Sequence, residues 1–316
     1  MTRHLELLTP DWSDYQLLDS GNAKKLERFG EFTLIRPEPQ AKWAPVLSPA
    51  HWEAANGEFT KTGTGRQGEW KLGKSLPKRW VLERNNLKFW LQPSPSGHVG
   101  VFPDQACHWD WLAELMKHAC APVKVLSLFG HTGLATLAVS ATCAEVTHVD
   151  SSRKAVAWAR ENQALSRLSE RPIRWIVEDA LTFVRREGRR GNRYDAMIID
   201  PPRFGRGPDG QIWKLDKALP ELLSACASIL SKSPAFLLLN VYVTVLSQAR
   251  TEEEAESLCT YLQDMLKPFT MSIAAGELVI QDAAGRKIHS SIFARAQKMP
   301  PRLDRASKGE LTPLPD

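Results

Sequence analysis

Cysteine is scarce in this chain, and its few thiols are poorly placed for pairing. The 316 residues contain five cysteines, an odd number, and no Cys-x-x-Cys pair occurs. A disulfide framework or a zinc ribbon would need thiols in pairs at defined spacing. We therefore expect reduced core thiols and no metal site. The five are Cys107, Cys120, Cys143, Cys226 and Cys259.

Long hydrophobic runs are also missing. No apolar stretch approaches the roughly 18–20 residues that a membrane-spanning helix needs. The first residues, Met1 to Glu6, lack the apolar segment of a secretory signal. Hydrophobic residues make up 43% and charged residues 24% of the chain, which is typical of a soluble globular protein. We expect a cytoplasmic protein with no membrane partner.

The glycine pattern of dinucleotide-binding proteins is incomplete. Those sites use Gly-x-Gly-x-x-Gly for a tight turn, for close approach of the pyrophosphate and for helix packing. After the apolar run Val123–Leu128, only Gly130 and Gly133 are available. A dinucleotide dehydrogenase is therefore less well supported than a site for a nucleoside without a pyrophosphate, which needs fewer glycines.

The run Val123–Leu128 with its glycines is the stretch around which the chain is organised. It is followed by a helix-compatible segment, residues 134–139, so the pattern predicts strand, tight turn and helix. Glycine permits a positive φ and a close ligand approach, and the first helical N–H groups face the end of the strand. A second short strand, residues 146–150, ends in Asp150. A carboxylate there can accept hydrogen bonds from ribose hydroxyls.

Two later strands also end in carboxylates. Residues 173–177 precede Asp179, and residues 194–199 precede Asp200. Pro201 and Pro202 then end the ladder, because proline has no N–H to donate. In a parallel sheet the carboxyl ends of the strands share one edge, so a single ligand site is predicted there. Its markers are Gly130, Asp150, Asp179 and Asp200.

These motifs resemble class I S-adenosylmethionine-dependent methyltransferases. More narrowly, Asp-Pro-Pro-Arg-Phe at residues 200–204 is similar to the Asp-Pro-Pro-x-Phe motif of bacterial ribosomal RNA large-subunit methyltransferases. The resemblance covers roughly residues 97–296, and residues 15–45 look like the start of such proteins. The first motif departs from the family's usual Gly-x-Gly by having Ser127 and Phe129 around the turn, a variant that the RNA-modifying branch tolerates.

The resemblance implies a fold and a cofactor. The fold is α/β, a Rossmann-like seven-stranded methyltransferase sheet with a small N-terminal antiparallel β domain, and the cofactor is S-adenosylmethionine. The segment around Phe102 would line the cofactor pocket, where an aromatic face attracts a sulfonium by about 0.5–2 kcal/mol; a plain joining turn is the alternative. The expected cofactor residues are Phe102, Pro103, Phe129, Gly130, His131, Thr132, Gly133, Asp150, Ser151, Asp179, Ala180 and Asp200.

The length suits a domain of about 200 residues plus a smaller one. We expect a substrate-recognition domain at 1–96, the methyltransferase domain at 97–298 and a C-terminal tail at 299–316. Alternating segments with glycine and asparagine turns between residues 58 and 92 predict the small sheet. Its tryptophans are either a platform for RNA bases or simply the core of a small sheet. They are Trp43, Trp52, Trp70, Trp80 and Trp90.

The net charge of +5 is unevenly distributed. Five arginines lie within residues 185–193, where they either bind phosphates or form a solvated loop. We expect Arg203, Phe204 and Arg206 to contact substrate, because this segment leaves the strand that ends at Asp200. The glycine-rich residues 203–213 are interpreted as a mobile lid.

The target atom decides which catalytic groups are needed. Methylation of cytosine at C5 needs a cysteine nucleophile, which related enzymes carry just after strand five, and residues 240–244 contain none. A nitrogen target needs only an acceptor that orients it. The expected catalytic residues are Asp200, Pro201, Pro202 and Asn240, with Tyr242 as another possible helper.

The sequence therefore predicts a methyltransferase acting on RNA, above all ribosomal RNA, at a base nitrogen. The alternatives are an adenosylmethionine-binding RNA module without turnover, or a methyltransferase of a protein or a small molecule.

Overall fold

The computed structural model describes residues 4–62, 67–117, 122–142, 144–208, 210–242 and 248–298. The strands are β1 (His4–Leu8), β2 (Tyr15–Gly21), β3 (Lys24–Phe29), β4 (Phe32–Pro37), β5 (Gly57–Lys61), β6 (Gly68–Leu72), β7 (Trp80–Arg84), β8 (Leu87–Leu91), β9 (Val123–Leu128), β10 (Ala144–Asp150), β11 (Ile173–Val177), β12 (Ala196–Ile199), β13 (Phe204–Arg206), β14 (Ile212–Lys214), β15 (Phe236–Tyr242), β16 (Met271–Gln281) and β17 (Lys287–Lys298). The helices are α1 (Pro49–Glu53), α2 (Ala106–Lys117), α3 (Leu134–Ser140), α4 (Arg153–Leu165), α5 (Ala180–Arg189), α6 (Leu215–Ser228) and α7 (Gln248–Leu266), with a 3₁₀ turn at Pro103–Gln105.

One large sheet contains eight strands in the order β1-β16-β17-β15-β12-β9-β10-β11. The strands from β11 to β15 are parallel, and β17 is antiparallel to both of its neighbours. The seven strands of the expected methyltransferase sheet are all present. The eighth, β1, pairs in parallel with residues 275–279 at the β16 edge.

The central strands are almost continuously apolar, which is typical of parallel strands covered on both faces. Alternate residues of β9 point to opposite faces. Leu126 and Leu128 pack in a core shared with α5, α6 and α7, whereas Val123 and Val125 pack in a core shared with α2 and α3. Both faces are therefore buried, so a ligand has to bind at the ends of the strands.

The N-terminal region forms a five-stranded sheet, β2-β3-β4-β5-β6, and the hairpin β7-β8. The sheet is antiparallel as expected except at β4 and β5, which pair in parallel. Its core continues into the larger domain, since Phe29 and Phe89 share a cluster with Trp109 and Leu137. Within the predicted first domain, residues 4–8 belong to the large sheet instead. The boundaries at 96 and 298 stay predictions, and the predicted tail, 299–316, lies outside the described residues.

The tryptophans of the small domain serve packing. Trp80 is buried in its core, and the other four are half-buried. The indole N–H groups of Trp43 and Trp70 donate to the carbonyls of Ser20 and Ser94, and that of Trp52 donates to Asp19. These contacts favour the core interpretation over an open platform for bases.

In the part of the chain that the structure describes, no helix is long and apolar enough to cross a membrane.

Candidate active site

The strand register places the predicted markers on one rim of the large sheet. Leu128 is level with both Val149 and Ile199, while Asp150 is level with Val177. The residues that follow these positions therefore share the carboxyl edge, in the spatial order Asp179, Asp150, Gly130, Asp200. Asn240 joins them from β15, because Ile199 is level with Leu239. The predicted common rim is confirmed.

In the turn after β9, the residues with positive φ are not the same as the glycine that provides space. Positive φ angles occur at Phe129 (56°), His131 (48°) and Gly133 (87°), but not at Gly130. Gly130 is needed for space, since a Cβ there would lie 2.3 Å from Cε1 of His148. The glycine thus makes room for a buried imidazole beneath the turn, whereas we expected it to make room for ligand.

Asp150 is held by the backbone of the turn. Its carboxylate accepts hydrogen bonds from the N–H of His131 at 2.9 Å and from the N–H of Ser152 at 2.7 Å. Burial raises the pKa of Asp150, and these two bonds offset part of the rise. Ser151, between Asp150 and Ser152 in the chain, is half-buried. Asp150 therefore stands in a fixed orientation beside the glycine turn.

Asp179 begins α5 as its N-cap. Its Oδ1 accepts hydrogen bonds from the backbone N–H and the hydroxyl of Thr182, both at 2.9 Å. Such caps are a common way of satisfying the first N–H groups of a helix. One oxygen of this carboxylate is thus already engaged in capping, a role that the sequence analysis did not consider. Ala180, the next residue, is buried.

A cavity opens at this rim between the turn after β9 and the ends of β12 and β15. Its walls include the expected residues Phe102, Phe129, Gly130, His131, Thr132, Asp200 and Asn240. The other expected cofactor residues are not among its lining: Pro103, Gly133, Asp150, Ser151, Asp179 and Ala180. Gln105 and Ser127 also line it, and the sequence analysis did not select them as site residues.

Two buried polar atoms at this cavity have no hydrogen-bond partner among the described residues. They are the Ser127 hydroxyl and Nδ1 of His131. A buried polar atom without a partner costs free energy, and a polar ligand can supply the missing bond. S-adenosylmethionine has an amino-acid end with both donors and acceptors, so these walls fit that group.

Three aromatic rings meet beside the cavity. The His98 ring centroid lies 4.8 Å from that of His131 and 5.9 Å from that of Phe102. Burial lowers the pKa of His131 to about 4, and burial together with its neighbours lowers that of His98 to about 3. Both imidazoles are uncharged at neutral pH. The cluster therefore presents aromatic surface without repelling a cation such as a sulfonium.

Asp200 is the buried carboxyl group of the rim. Its Oδ1 accepts a 2.8 Å bond from the side-chain amide of Asn240, and its Oδ2 accepts a 3.1 Å bond from that of Gln105. Burial raises its pKa to about 7; the amide bonds act in the opposite direction, and the nearby charge of Asp104 adds to the rise. The group can therefore exchange a proton close to neutral pH.

The described part of the predicted lid, residues 203–213, forms the hairpin β13-β14, and its mobility stays a prediction. Trp213 is buried beneath it, packs against Phe129 with 4.9 Å between ring centroids and an angle of 56° between the ring planes, and donates its indole N–H to the Pro202 carbonyl at 2.5 Å. The cross-strand pairs Phe204–Lys214 and Arg206–Ile212 flank the Gly205–Trp213 pair and are exposed. The hairpin thus presents two apolar and two cationic side chains on its outer face, next to Asp200.

The end of the arginine cluster, from Arg189 onward, lies away from this rim, whereas Arg186 reaches back to Glu178 beside it. Helix α5 starts at the rim and runs back across the sheet, so its last turn lies about 15 Å away at 1.5 Å per residue. Arg185, Arg186 and Arg190 pair with Glu221, Glu178 and Glu187. These acidic partners favour a solvated surface over phosphate binding, and the choice between the two stays a prediction.

Comparisons with known proteins agree with this geometry. A model of the S-adenosylmethionine-dependent methyltransferase family matches residues 5–251. A crystal structure of a SAM-dependent methyltransferase from Agrobacterium tumefaciens is 40% identical, with a TM-score of 0.86 over 93% of this chain and 94% of that chain.

Curated relatives match over shorter stretches. Ribosomal RNA large subunit methyltransferase K/L of Pseudoalteromonas atlantica is 33% identical over 147 residues, 46% of this chain and 20% of that protein. Ribosomal RNA large subunit methyltransferase I of Escherichia coli O127:H6 is 33% identical over 192 residues, 57% of this chain and 48% of that protein. The chain thus spans about half or less of the length of these relatives. The family match extends over most of the chain and includes the rim from Phe129 to Asn240, and this chain belongs to the S-adenosylmethionine-dependent methyltransferases.

Proposed function

We propose that this protein methylates a nitrogen atom of an RNA base, in ribosomal RNA, and that it works in the cytoplasm. The observation that carries the proposal is Asp200, a buried acceptor held by two amides at the cavity beside an exposed, cationic hairpin. The names of the curated relatives, which are ribosomal RNA methyltransferases, support the choice of substrate.

The cofactor would be held along the rim. Ser127 and His131 would bind its amino-acid end, and Phe102 would face the sulfonium. Asp150 would accept the ribose hydroxyls, and Asp179 would use its second oxygen toward the adenine. Bound S-adenosylmethionine supplies a methyl group already activated on sulfur, so the protein mainly has to align the acceptor nitrogen.

Asp200 would provide that alignment. It would accept a hydrogen bond from the substrate N–H and take the proton that the nitrogen loses on methylation, before passing it to water. A carbon target would instead need a thiolate. Of the cysteines that the structure describes, Cys226 and Cys259 are buried in helices, and burial raises the pKa of Cys107 to about 12. Cys120, Cys143 and residues 243–244 lie outside the described residues.

The first experiment is an assay with labelled S-adenosylmethionine on ribosomal RNA and tRNA from cells that lack the gene, with nucleoside mass spectrometry of the product. We expect a single nitrogen-methylated base in ribosomal RNA. Asp200→Asn should lower the rate at least about 100-fold because it removes the proton acceptor. Label found only in protein or a small molecule, or a C5-methylated cytosine, contradicts the proposal. Adenosylhomocysteine binding without turnover on any substrate indicates a binding module.

The hairpin tests the RNA part separately. Arg206→Gln should weaken RNA binding and reduce the salt dependence of affinity by about one phosphate contact, because each contact releases counterions. Arg189→Gln is the matched control, since Arg189 is exposed at the far end of α5. Equal losses in both variants would mean that the charge of the whole protein, rather than this face, attracts the RNA.

A further inference from the structure

A line of polar side chains, buried at its centre, runs from Arg295 on β17 through His108 and Asn240 to Asp200. Arg295 on β17 donates from Nε to Nδ1 of His108 on α2 at 2.9 Å, and its Nη2 contacts the same atom. Nε2 of His108 lies 3.4 Å from Oδ1 of Asn240. Ser291 donates to that same oxygen at 3.1 Å, and the Asn240 amide donates to Asp200 at 2.8 Å.

Chemistry fixes the direction of every bond in this line. Arginine can only donate, so Nδ1 of His108 must be the acceptor and Nε2 must carry the hydrogen. Nε2–H then donates to Oδ1 of Asn240, which turns the NH₂ group of Asn240 toward Asp200. His108 and Asn240 are 0% and 1% exposed, so water does not compete for these bonds. Burial, together with the charge of Arg295, lowers the pKa of His108 well below its ordinary value.

We propose that Arg295 and His108 are positioning residues, which lock the amide of Asn240 with its donor toward Asp200 and so hold Asp200 as an oriented proton acceptor. This rests on the proposed function, and it assigns roles to two residues that never reach the cavity. The Arg295 guanidinium is itself held by two rings, since its Cζ lies 4.8 Å from the centroid of Trp111 and 5.0 Å from that of Phe293. The guanidinium that sets the tautomer of His108 is therefore itself fixed in place.

The orientation of the Asn240 amide affects the pKa of Asp200. If the amide of Asn240 were free to flip, its oxygen would face the carboxylate. Asp200 would then lose a donor that favours its ionised form, and its pKa would rise. The other groups that act on Asp200 are Gln105, which donates to it, and Asp104, whose charge raises its pKa. Neither of these contacts the relay from Arg295.

The first test does not use activity. Long-range ¹H–¹⁵N spectra of the histidine rings distinguish the two neutral tautomers, and the His108 signals are assigned by their loss in His108→Gln. We expect the Nε2–H tautomer in the wild-type protein, with no protonation down to pH 5. In Arg295→Met the tautomer should become mixed. A wild-type His108 that is protonated at neutral pH, or that carries its hydrogen on Nδ1, overturns the proposal.

The second test compares two substitutions of His108. Phenylalanine keeps the ring packed against Phe293, whose centroid is 5.1 Å away, but can neither accept nor donate. Glutamine can do both. We expect His108→Phe to lower kcat about tenfold with little change in KM, because a misaligned acceptor affects the reacting geometry. The acidic limb of its pH–rate profile should move up by about one pH unit. His108→Gln should keep both kcat and the acidic limb of the pH–rate profile close to the wild-type values.

Arg174→Met is the control for Arg295→Met. Arg174 also stacks over an aromatic ring, Phe183, and bonds a buried residue, Glu187, but it lies at the other end of the sheet. Circular dichroism and urea unfolding show that each variant is folded. An unchanged pH–rate profile in folded His108→Phe refutes the relay while leaving the methyltransferase function intact. If the wild-type protein methylates nothing, the proposed function fails, and the tautomer spectra still decide whether the relay exists.

Discussion

Two buried carboxyl groups in this chain have opposite protonation behaviour. Glu27, in the small sheet, accepts two bonds from Arg36 at 2.7 and 2.8 Å and one from the Tyr15 hydroxyl at 2.9 Å, with Lys25 at 3.8 Å. Burial acts to raise its pKa, but the charges of Arg36 and Lys25 outweigh burial and lower it. Glu27 therefore stays ionised at neutral pH.

Asp200 is half-buried at the cavity, and its partners are neutral amides. They only partly offset the effect of burial, so its pKa rises to about 7. The difference shows that burial alone does not decide the charge of a carboxyl group; the charge of its partner does. A carboxylate beside a guanidinium suits a structural ion pair. One beside amide donors can change its protonation state during a reaction near neutral pH.

Glu27→Gln should show the largest effect, and it tests the structural side of this contrast. It would leave Arg36 and Lys25 buried with one carboxylate fewer, and it should lower the free energy of unfolding by about 3–5 kcal/mol. Urea denaturation measures this change. Glu58→Gln is the control, because Glu58 pairs with Lys24 near the surface of the same domain, where the loss should stay below about 1 kcal/mol. Equal losses in Glu27→Gln and Glu58→Gln would show that the buried ion pair of Glu27 is no more important for stability than a surface pair.

Asp200→Asn should change stability in the opposite direction, and only at higher pH. Between the ordinary pKa of 3.8 and about 7, the unfolded chain has released this proton while the folded protein keeps it. Wild-type stability therefore falls across this window as pH rises. The variant lacks this loss, so its advantage should grow by up to about 4 kcal/mol between pH 4 and pH 8. Parallel stability curves for the two proteins, by urea denaturation, would contradict the raised pKa.

Tyr15→Phe should have a smaller effect. It removes one hydroxyl donor from Glu27 and leaves the two bonds from Arg36, so we expect a loss of about 1 kcal/mol in the free energy of unfolding. The matched control is Tyr261→Phe, an exposed tyrosine on α7, for which the change should stay within about 0.5 kcal/mol. A loss as large as that in Glu27→Gln would contradict the role of Arg36 as the main partner of Glu27.

Asp104→Asn should give the smallest change and connects the two regions. Asp104 is buried, accepts a bond from Ser290 at 2.8 Å and acts electrostatically on Asp200. Without its charge, the pKa of Asp200 should fall, and the acidic limb of the pH–rate profile should move down by less than about one pH unit. Asp216→Asn, on exposed α6 surface, should leave the profile unchanged. A shift upward in Asp104→Asn would contradict this electrostatic effect.

Much of the site could be predicted because its signals are local. The apolar runs end at glycines, acids or Asp-Pro-Pro, and parallel strands bring such ends to one edge. The arginine-rich pattern at residues 185–193 did not decide between phosphate binding and a solvated surface, because the direction of helix α5 sets where these side chains lie. The place of strand β1 in the large sheet was missed, because residues 4–8 were assigned to the small domain and five alternating residues are too few to show which sheet they join.

The sequence by itself determined the order of strands, turns and acids that forms the rim. Strands and turns depend on the apolar pattern and on glycine and proline within a few neighbouring residues. Only the tertiary structure decided what Asp200 touches. Gln105 lies 95 positions before it, Asn240 lies 40 after it, and Arg295 reaches His108 across 187 positions. No local pattern selects such partners; the packing of α2, β15 and β17 brings them together, and burial of the group they surround sets its charge.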